Sequence, residues 1–134
     1  MPTFSERSKA RLATCHPDLQ RLMQKVIERI DVTVLVGHRG EEEQNEAYRK
    51  NQSRLQFPNS KHNSIPSKAI DIAPYIPGRG IDWNYTPQFY LVAGIVLATA
   101  AELKIPIRWG GDFNRNLFPG DEKFLDLVHF ELEK

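Results

Sequence analysis

The chain has 134 residues, which is enough for one compact domain, residues 1–134, and leaves no room for a second module. Its composition, with 40% hydrophobic and 26% charged residues, is typical of a soluble domain and excludes a disordered or low-complexity chain. Lys and Arg number 18 against 17 Asp and Glu, and the net charge of +1 provides no general attraction to nucleic acid or to an anionic membrane. We therefore expect neither among the partners.

Three further features restrict the class of protein. The N-terminal residues contain no apolar run, so we expect no secretory signal peptide. The longest apolar stretch, Phe89 to Leu103, contains Glu102 and is shorter than the ~20 residues of a membrane span. It predicts a core helix and no membrane insertion.

Cys15 is the single cysteine, so a metal site in this chain would have to consist of histidine and carboxylate ligands.

The N-terminal third of the chain predicts a helix, a strand and a second helix. Apolar residues recur at helical spacing between Leu19 and Ile30, in an amphipathic helix that Pro17 begins. The β-branched run Val32–Val36 predicts a mostly buried strand, and Arg39 follows just past its end. Glu41–Lys50 has an acidic first turn and predicts a short surface helix.

The rest of the chain alternates loops with strands and one long helix. Residues 51–68 are rich in Asn, Ser, Gln and Pro and predict a long, functional loop. Ala69–Pro74 predicts a strand with Asp71 on the face opposite its isoleucines. A helix over 86–104, a short strand over 107–109, a loop over 110–116 and a last strand over 127–132 complete the chain. In that last strand we expect His129 and Glu131 to point away from the core.

The order of these elements determines the fold class. The connections are short or irregular and do not form regular βαβ units. We therefore predict a small α+β domain with an antiparallel or mixed sheet flanked by helices.

Asp71 is the acidic residue of an otherwise apolar strand. A desolvated carboxylate costs several kcal/mol unless it is paired or bound to a metal. A salt bridge to Arg or Lys or a hydrogen bond from a backbone amide would satisfy it. His62 in the long loop and His129 on the last strand favour a metal site instead.

Two segments resemble a known family. Ser60 to Tyr75 (SKHNSIPSKAIDIAPY) and Asp126 to His129 (DLVH) are similar to the zinc peptidases that cleave D-alanyl-D-alanine or L-alanyl-D-glutamate bonds. The resemblance is greatest to bacteriophage endolysins that cleave the L-alanyl-D-glutamate bond of peptidoglycan. It extends from Val34 to the C terminus and implies a fold similar to that of hedgehog signalling domains and DD-peptidases.

The resemblance implies a role for each matching residue. His62, Asp71 and His129 would bind one zinc ion. Asp126 would be the general base, and Arg39 would bind the scissile carbonyl as it becomes an oxyanion. Ser60 would contact the substrate or the groups around it.

Each of these roles has a structural requirement or an alternative. Strict strand alternation would put Asp126 and His129 on opposite faces, so Asp126 must lie on a turn or bulge that enters the strand. Arg39 could instead be a surface residue paired with the acidic residues at 41–43, and Ser60 could simply make a turn. The gap between His62 and Asp71 is longer than in much of the family, with the additional residues around 63–67. Such an insertion can leave the ligands in place, so the resemblance defines the metal site more closely than the substrate pocket.

Three other polar or aromatic positions are weaker candidates. Gln44 could point toward the site from its helix face, but we interpret it as a solvent-exposed residue of the short helix. Trp109 and Asp112 could line a cleft, and Trp109 could equally belong to the core.

The function that the resemblance implies is a monomeric metallopeptidase that hydrolyses the stem peptide of bacterial peptidoglycan. It would remain in the host cytoplasm until a separate membrane-permeabilising protein releases it to the cell wall. Two alternatives remain at this point. One is a D-alanyl-D-alanine carboxypeptidase or dipeptidase with the same zinc site, and the other is a non-catalytic binding module similar to hedgehog domains.

Overall fold

The computed structural model describes residues 2–119 and 125–133. Four helices and a 3-10 turn accompany four strands in this part of the chain. The helices are α1 (Glu6–Leu12), α2 (Pro17–Val26), α3 (Glu41–Arg49) and α4 (Thr86–Leu103), with the 3-10 turn at Lys61–Asn63. The strands are β1 (Val32–Val36), β2 (Ala69–Pro74), β3 (Ile107–Trp109) and β4 (His129–Leu132).

The four strands form one sheet in the order β1-β2-β4-β3, and every neighbouring pair is antiparallel. The predicted α+β class with an antiparallel sheet is therefore confirmed. Strand β2 lies inside the sheet, between β1 and β4, and Asp71 lies opposite Val36 on one side and His129 on the other. A bulge between Val34 and Val36 interrupts the β1 register beside Asp71. Such irregularities redirect the chain at the edge of a site.

The hydrophobic core lies on the helical face of the sheet, where α2 packs against α4 and α4 contacts β2 and β3. Ile70 and Ile72 of β2 and Phe130 of β4 are each at most 1% exposed on this side. Because side chains alternate along a strand, Asp71 faces the other side. The sheet thus separates the apolar core from the polar face.

Helix α4 is the apolar segment predicted as a core helix. By length and composition alone it could cross a membrane. In the structure Val92, Val96 and Ala100 are buried in the core, and Leu91 is half-exposed. This one-sided burial agrees with the predicted core helix.

Some boundaries differ from the predicted ones. The structure contains α1, which at seven residues is too short to show helical periodicity in the sequence. Helix α2 ends at Val26, although Ile27 remains buried beyond it. Strand β4 begins at His129 and not at Leu127, because residues 127 and 128 form a turn.

Candidate metal centre and cleft

Three polar side chains meet on the face of the sheet opposite the core. Asp71 comes from the middle of β2, His129 from the first position of β4, and His62 from the 3-10 turn. The Asp71 Oδ1 atom lies 3.1 Å from His62 Nε2 and 3.1 Å from His129 Nδ1. One ligand atom from each residue lies within 4.8 Å of the others, and all three residues are buried. This cluster could hold a metal ion.

The outer nitrogen of each histidine has its own hydrogen-bond acceptor. His62 Nδ1 lies 2.8 Å from the carbonyl oxygen of Gly37, and His129 Nε2 lies 2.8 Å from Glu131 Oε1. In a neutral imidazole one nitrogen carries the proton and the other carries the lone pair. A proton on each outer nitrogen therefore leaves both inner nitrogens free to bind an ion at Asp71.

The donor set suits a catalytic zinc ion, since two imidazoles and one carboxylate are ligands that zinc takes in enzymes with a further position left open. Burial raises the pKa of Asp71, but hydrogen bonds from His129 and His62 hold it well below its usual range. Burial lowers the pKa of His129, yet its bonds to Asp71 and Glu131 raise it to about 10. Without metal, a proton on the His129 imidazole therefore balances the Asp71 charge. That proton competes with any ion that binds.

A cleft of about 600 Å³ opens over this cluster. All six residues predicted from the sequence for the site line it: Arg39, Ser60, His62, Asp71, Asp126 and His129. The structure therefore brings together segments that lie up to 90 positions apart in the chain.

Asp126 lies just before the turn that leads into β4, as its proposed role requires. Its amide N–H donates to the Gly110 carbonyl, 2.9 Å away, and its own carbonyl accepts from the His129 N–H at 3.1 Å. The predicted placement off the strand is confirmed. Burial and the negative charge of Asp71 raise the pKa of Asp126 to about 6, against the opposing effect of nearby cationic groups.

Arg39 faces the cleft from the segment after β1. Its Nη2 atom lies 3.5 Å from Asp71 Oδ2, and its backbone N–H donates to the His62 carbonyl at 2.8 Å. In the described part of the chain its ion pair is with Asp71 and not with the acidic residues 41–43. Asp71 therefore has the salt bridge to an arginine that the sequence analysis considered, in addition to its contacts with the two histidines.

Gln44 is fully buried, so the solvent-exposed interpretation is wrong. Its Oε1 accepts from Arg39 Nη1 at 3.1 Å and from Asn63 Nδ2 at 3.3 Å. Its Nε2 donates to Ser53 Oγ and to the Leu55 carbonyl. The amide thus connects Arg39 to the wall of the cleft. Its spacing of three residues from the buried Ala47 could have indicated the buried face of α3.

Glu131 is a site residue that the sequence analysis missed. The polar face of β4 was expected to point outward, but His129 and Glu131 are buried, since that face is covered by the walls of the cleft. Glu131 accepts from Arg108 Nη2 at 2.6 Å as well as from His129. Burial raises its pKa, but these two bonds lower it to about 2.

The weaker candidates have structural roles. Ser60 is buried and its Oγ accepts from the His62 N–H at 3.2 Å, so it caps the 3-10 turn while lining the cleft. Trp109 belongs to the core and donates to the Leu127 carbonyl. Asp112 is buried and accepts from the Leu117 N–H.

The segment between His62 and Asp71 is hydrogen-bonded to the residues between α1 and α2. Ser67 forms a parallel bridge with Cys15, and its N–H donates to the Thr14 carbonyl at 2.9 Å. Its hydroxyl donates to the Ala69 carbonyl at 2.7 Å. The additional residues therefore extend toward the segment between α1 and α2.

Comparisons with known proteins agree with this geometry. The sequence model of the phage L-alanyl-D-glutamate peptidases matches residues 2–133. The chain belongs to this family. It is similar to the L-alanyl-D-glutamate peptidase of Escherichia phage T5, with 35% identity over 113 residues, which cover 83% of this chain and 81% of the phage T5 protein.

The fold is also similar to that of a solved endopeptidase whose name gives the same L-Ala D-Glu bond. The crystal structure of the Serratia marcescens L-Ala D-Glu endopeptidase ChiX superimposes with a TM-score of 0.75 at 26% identity. The match covers 97% of this chain and 90% of ChiX. The family model spans every residue that the structure describes, including all the candidate site residues.

The contact between Gly110 and Asp126 provides a first test. A Cβ at position 110 would collide with the Asp126 carbonyl oxygen and lie 2.9 Å from Asp126 Cβ. Gly110→Ala should therefore displace Asp126, lower peptidase activity at least about tenfold and destabilise the fold by roughly 1–3 kcal/mol. Gly94→Ala in α4, where an added Cβ meets nothing within 4 Å, is the matched control and should be neutral or slightly stabilising. Activity assays and chemical denaturation measure both, and a fully active Gly110→Ala variant would contradict the placement.

The raised pKa of Asp126 predicts a pH-dependent stability cost. Because the folded pKa of about 6 exceeds the ordinary 3.8, ionised Asp126 destabilises the metal-free fold above pH 6. Asp126→Asn should thus raise the free energy of unfolding by roughly 1–3 kcal/mol at pH 7 to 8. The gain should largely vanish at pH 4, where the folded wild-type carboxyl is already protonated. Urea denaturation of metal-free protein at both pH values measures it, with exposed Glu28→Gln as the control. An equal effect at both pH values would show that the cost is not electrostatic.

Proposed function

We propose that this protein is a zinc-dependent endopeptidase that cleaves the L-alanyl-D-glutamate bond of the peptidoglycan stem peptide, as a phage endolysin. The observation that carries the proposal is the position of Asp126 and Arg39 in the same cleft as the cluster of His62, Asp71 and His129. The phage T5 protein and ChiX are both named for the L-alanyl-D-glutamate bond, which supports the choice of this bond as the substrate.

The metal would be held by His62 through Nε2, by the Asp71 carboxylate and by His129 through Nδ1. Zinc supplies a Lewis acid that makes water a better nucleophile and polarises a carbonyl. Burial of the ligands excludes competing bulk water from their side of the site. The hydrogen bonds to the Gly37 carbonyl and to Glu131 keep both rings oriented before substrate binds.

Asp126 acts as the general base in this mechanism. Its pKa, raised to about 6, leaves it ionised at neutral pH and still basic enough to take a proton from the attacking water. The same carboxyl then delivers the proton to the leaving amine of D-glutamate. In the Asp126→Asn variant turnover should consequently be lost while zinc remains bound.

Arg39 stabilises the negative charge that develops on the carbonyl oxygen. Its guanidinium is oriented by Gln44 and lies beside Asp71, so it is fixed before the reaction begins. A preorganised cation costs no reorganisation in the transition state. Ser60 lines the same cleft and contacts the bound peptide or the groups around it.

The two alternatives have less support. A D-alanyl-D-alanine carboxypeptidase would use the same metal site, but the relatives reported above are named for the L-alanyl-D-glutamate bond. A non-catalytic module would not need a carboxylate with a raised pKa beside the metal ligands. The enzyme is proposed to act as a monomer, to wait in the host cytoplasm and to reach the wall after a separate protein permeabilises the membrane.

Digestion of purified muropeptides tests the reaction directly. The protein should separate D-glutamate from L-alanine, leaving L-alanine on the glycan-linked muramic acid and releasing a peptide that begins with D-glutamate. A chelator should abolish the products, and added zinc should restore them. Mass spectrometry identifies both fragments. Loss of terminal D-alanine alone would favour the carboxypeptidase, and intact muropeptides in the presence of bound zinc would favour the binding module.

Replacement of Arg39 tests the oxyanion role. Arg39→Met should lower kcat by about 100- to 1,000-fold, because one fixed donor to the oxyanion is lost. KM and zinc affinity should change much less. Exposed Arg49→Met on α3, which removes an Arg–Glu46 pair, is the control and should remain active. A rise in KM with kcat unchanged would assign Arg39 to substrate binding.

A further inference from the structure

The environment of Glu131 differs from that of an ordinary surface carboxylate. It lies two positions after His129 on β4, so both side chains occupy the same face of the strand. Glu131 is 7% exposed, and its Oε1 atom lies 2.8 Å from His129 Nε2. Its Oε2 atom accepts from Arg108 Nη2 at 2.6 Å and lies 3.5 Å from Lys61 Nζ. Both oxygens are therefore occupied, one by the histidine and one by the two cations.

Arg108 and Lys61 are themselves held in place. Arg108 lies opposite Glu131 in the β3–β4 register, and its guanidinium carbon lies 5.5 Å from the centre of the Phe113 ring. Lys61 donates to the carbonyl of Leu132. The carboxylate of Glu131 is thus fixed from two elements, the 3-10 turn and β3, and its orientation toward His129 does not depend on the metal.

The two histidines are oriented by different kinds of acceptor. For His62 the acceptor is the backbone carbonyl of Gly37, which no side-chain substitution removes. For His129 it is an ionised side chain. A charged acceptor on the outer nitrogen increases the basicity of the inner nitrogen and strengthens it as a ligand.

We propose that Glu131, fixed by Arg108 and Lys61, is a positioning residue that holds His129 with its Nδ1 atom toward the metal and thereby sets the zinc affinity of the site. This inference rests on the proposed zinc peptidase function. Glu131 lies outside the cluster of His62, Asp71 and His129, and in this proposal it acts through His129.

A purely structural role would give a different result. A cross-strand Arg108–Glu131 ion pair would contribute to folding and leave zinc binding unchanged, whereas a positioning residue changes zinc affinity and the state of the His129 ring. The experiment therefore measures the zinc dissociation constant by competition with a chromophoric chelator. It also records the ring nitrogen shifts of His129 by NMR, with and without zinc.

Glu131→Ala should weaken zinc binding about 10- to 100-fold, the range found when outer partners of metal-bound histidines are removed. Glu131→Gln, which keeps the shape and one acceptor but removes the charge, should show a smaller loss. Both variants should regain most of their activity at saturating zinc. The matched control is Glu133→Gln, since exposed Glu133 lies two positions further along and pairs with Arg115 instead.

Two results would overturn the proposal. The first is a folded Glu131→Ala variant with wild-type zinc affinity and unchanged His129 shifts. If Glu131→Ala does not fold, the same result in Glu131→Gln decides against it. Either result leaves the peptidase function intact, whereas wild-type protein that binds no zinc would overturn the proposed function together with this inference.

Discussion

The structure depends on an ionised carboxylate in the middle of a sheet. Asp71 has strands on both sides and an apolar core behind it, so water cannot solvate its charge well. Two histidines and Arg39 compensate that charge, and each comes from a different segment. The fold must bring these segments together, because Asp71 without partners would destabilise the domain by several kcal/mol. The residues that stabilise the Asp71 carboxylate are thus the same residues that form the site.

The antiparallel register makes this assembly compact. Asp71 and His129 are direct cross-strand neighbours, so two ligands need no loop to position them. His62 lies outside the sheet and is held by main-chain contacts, through the Gly37 carbonyl and the Arg39 N–H. Rigid strands and a hydrogen-bonded turn therefore determine the ligand geometry, which is the precision that catalysis requires.

Much of this was predictable, because it follows from local patterns. The strand alternation at Asp71 predicts its face, and the motif order predicts which residues converge. The buried state of Gln44 and the contact of Glu131 with His129 were not predictable, since both depend on which surface covers a polar face. Helical or strand periodicity shows two faces, but it cannot show whether the polar one meets solvent or a cleft. The convergence of His62, Asp71 and His129 could therefore be predicted from the sequence, whereas the hydrogen bonds that support these residues could not.

The separation of the apolar core and the polar cleft on opposite faces of the sheet has a consequence for the evolution of this domain. The apolar contacts that hold α2 and α4 lie on the opposite side of β2 and β4 from the polar cleft. Substitutions far apart and without shared partners act almost independently. The helical side can therefore gain or lose stability with little effect on the chemistry. Evolution can adjust robustness and reactivity in this domain as two separate properties.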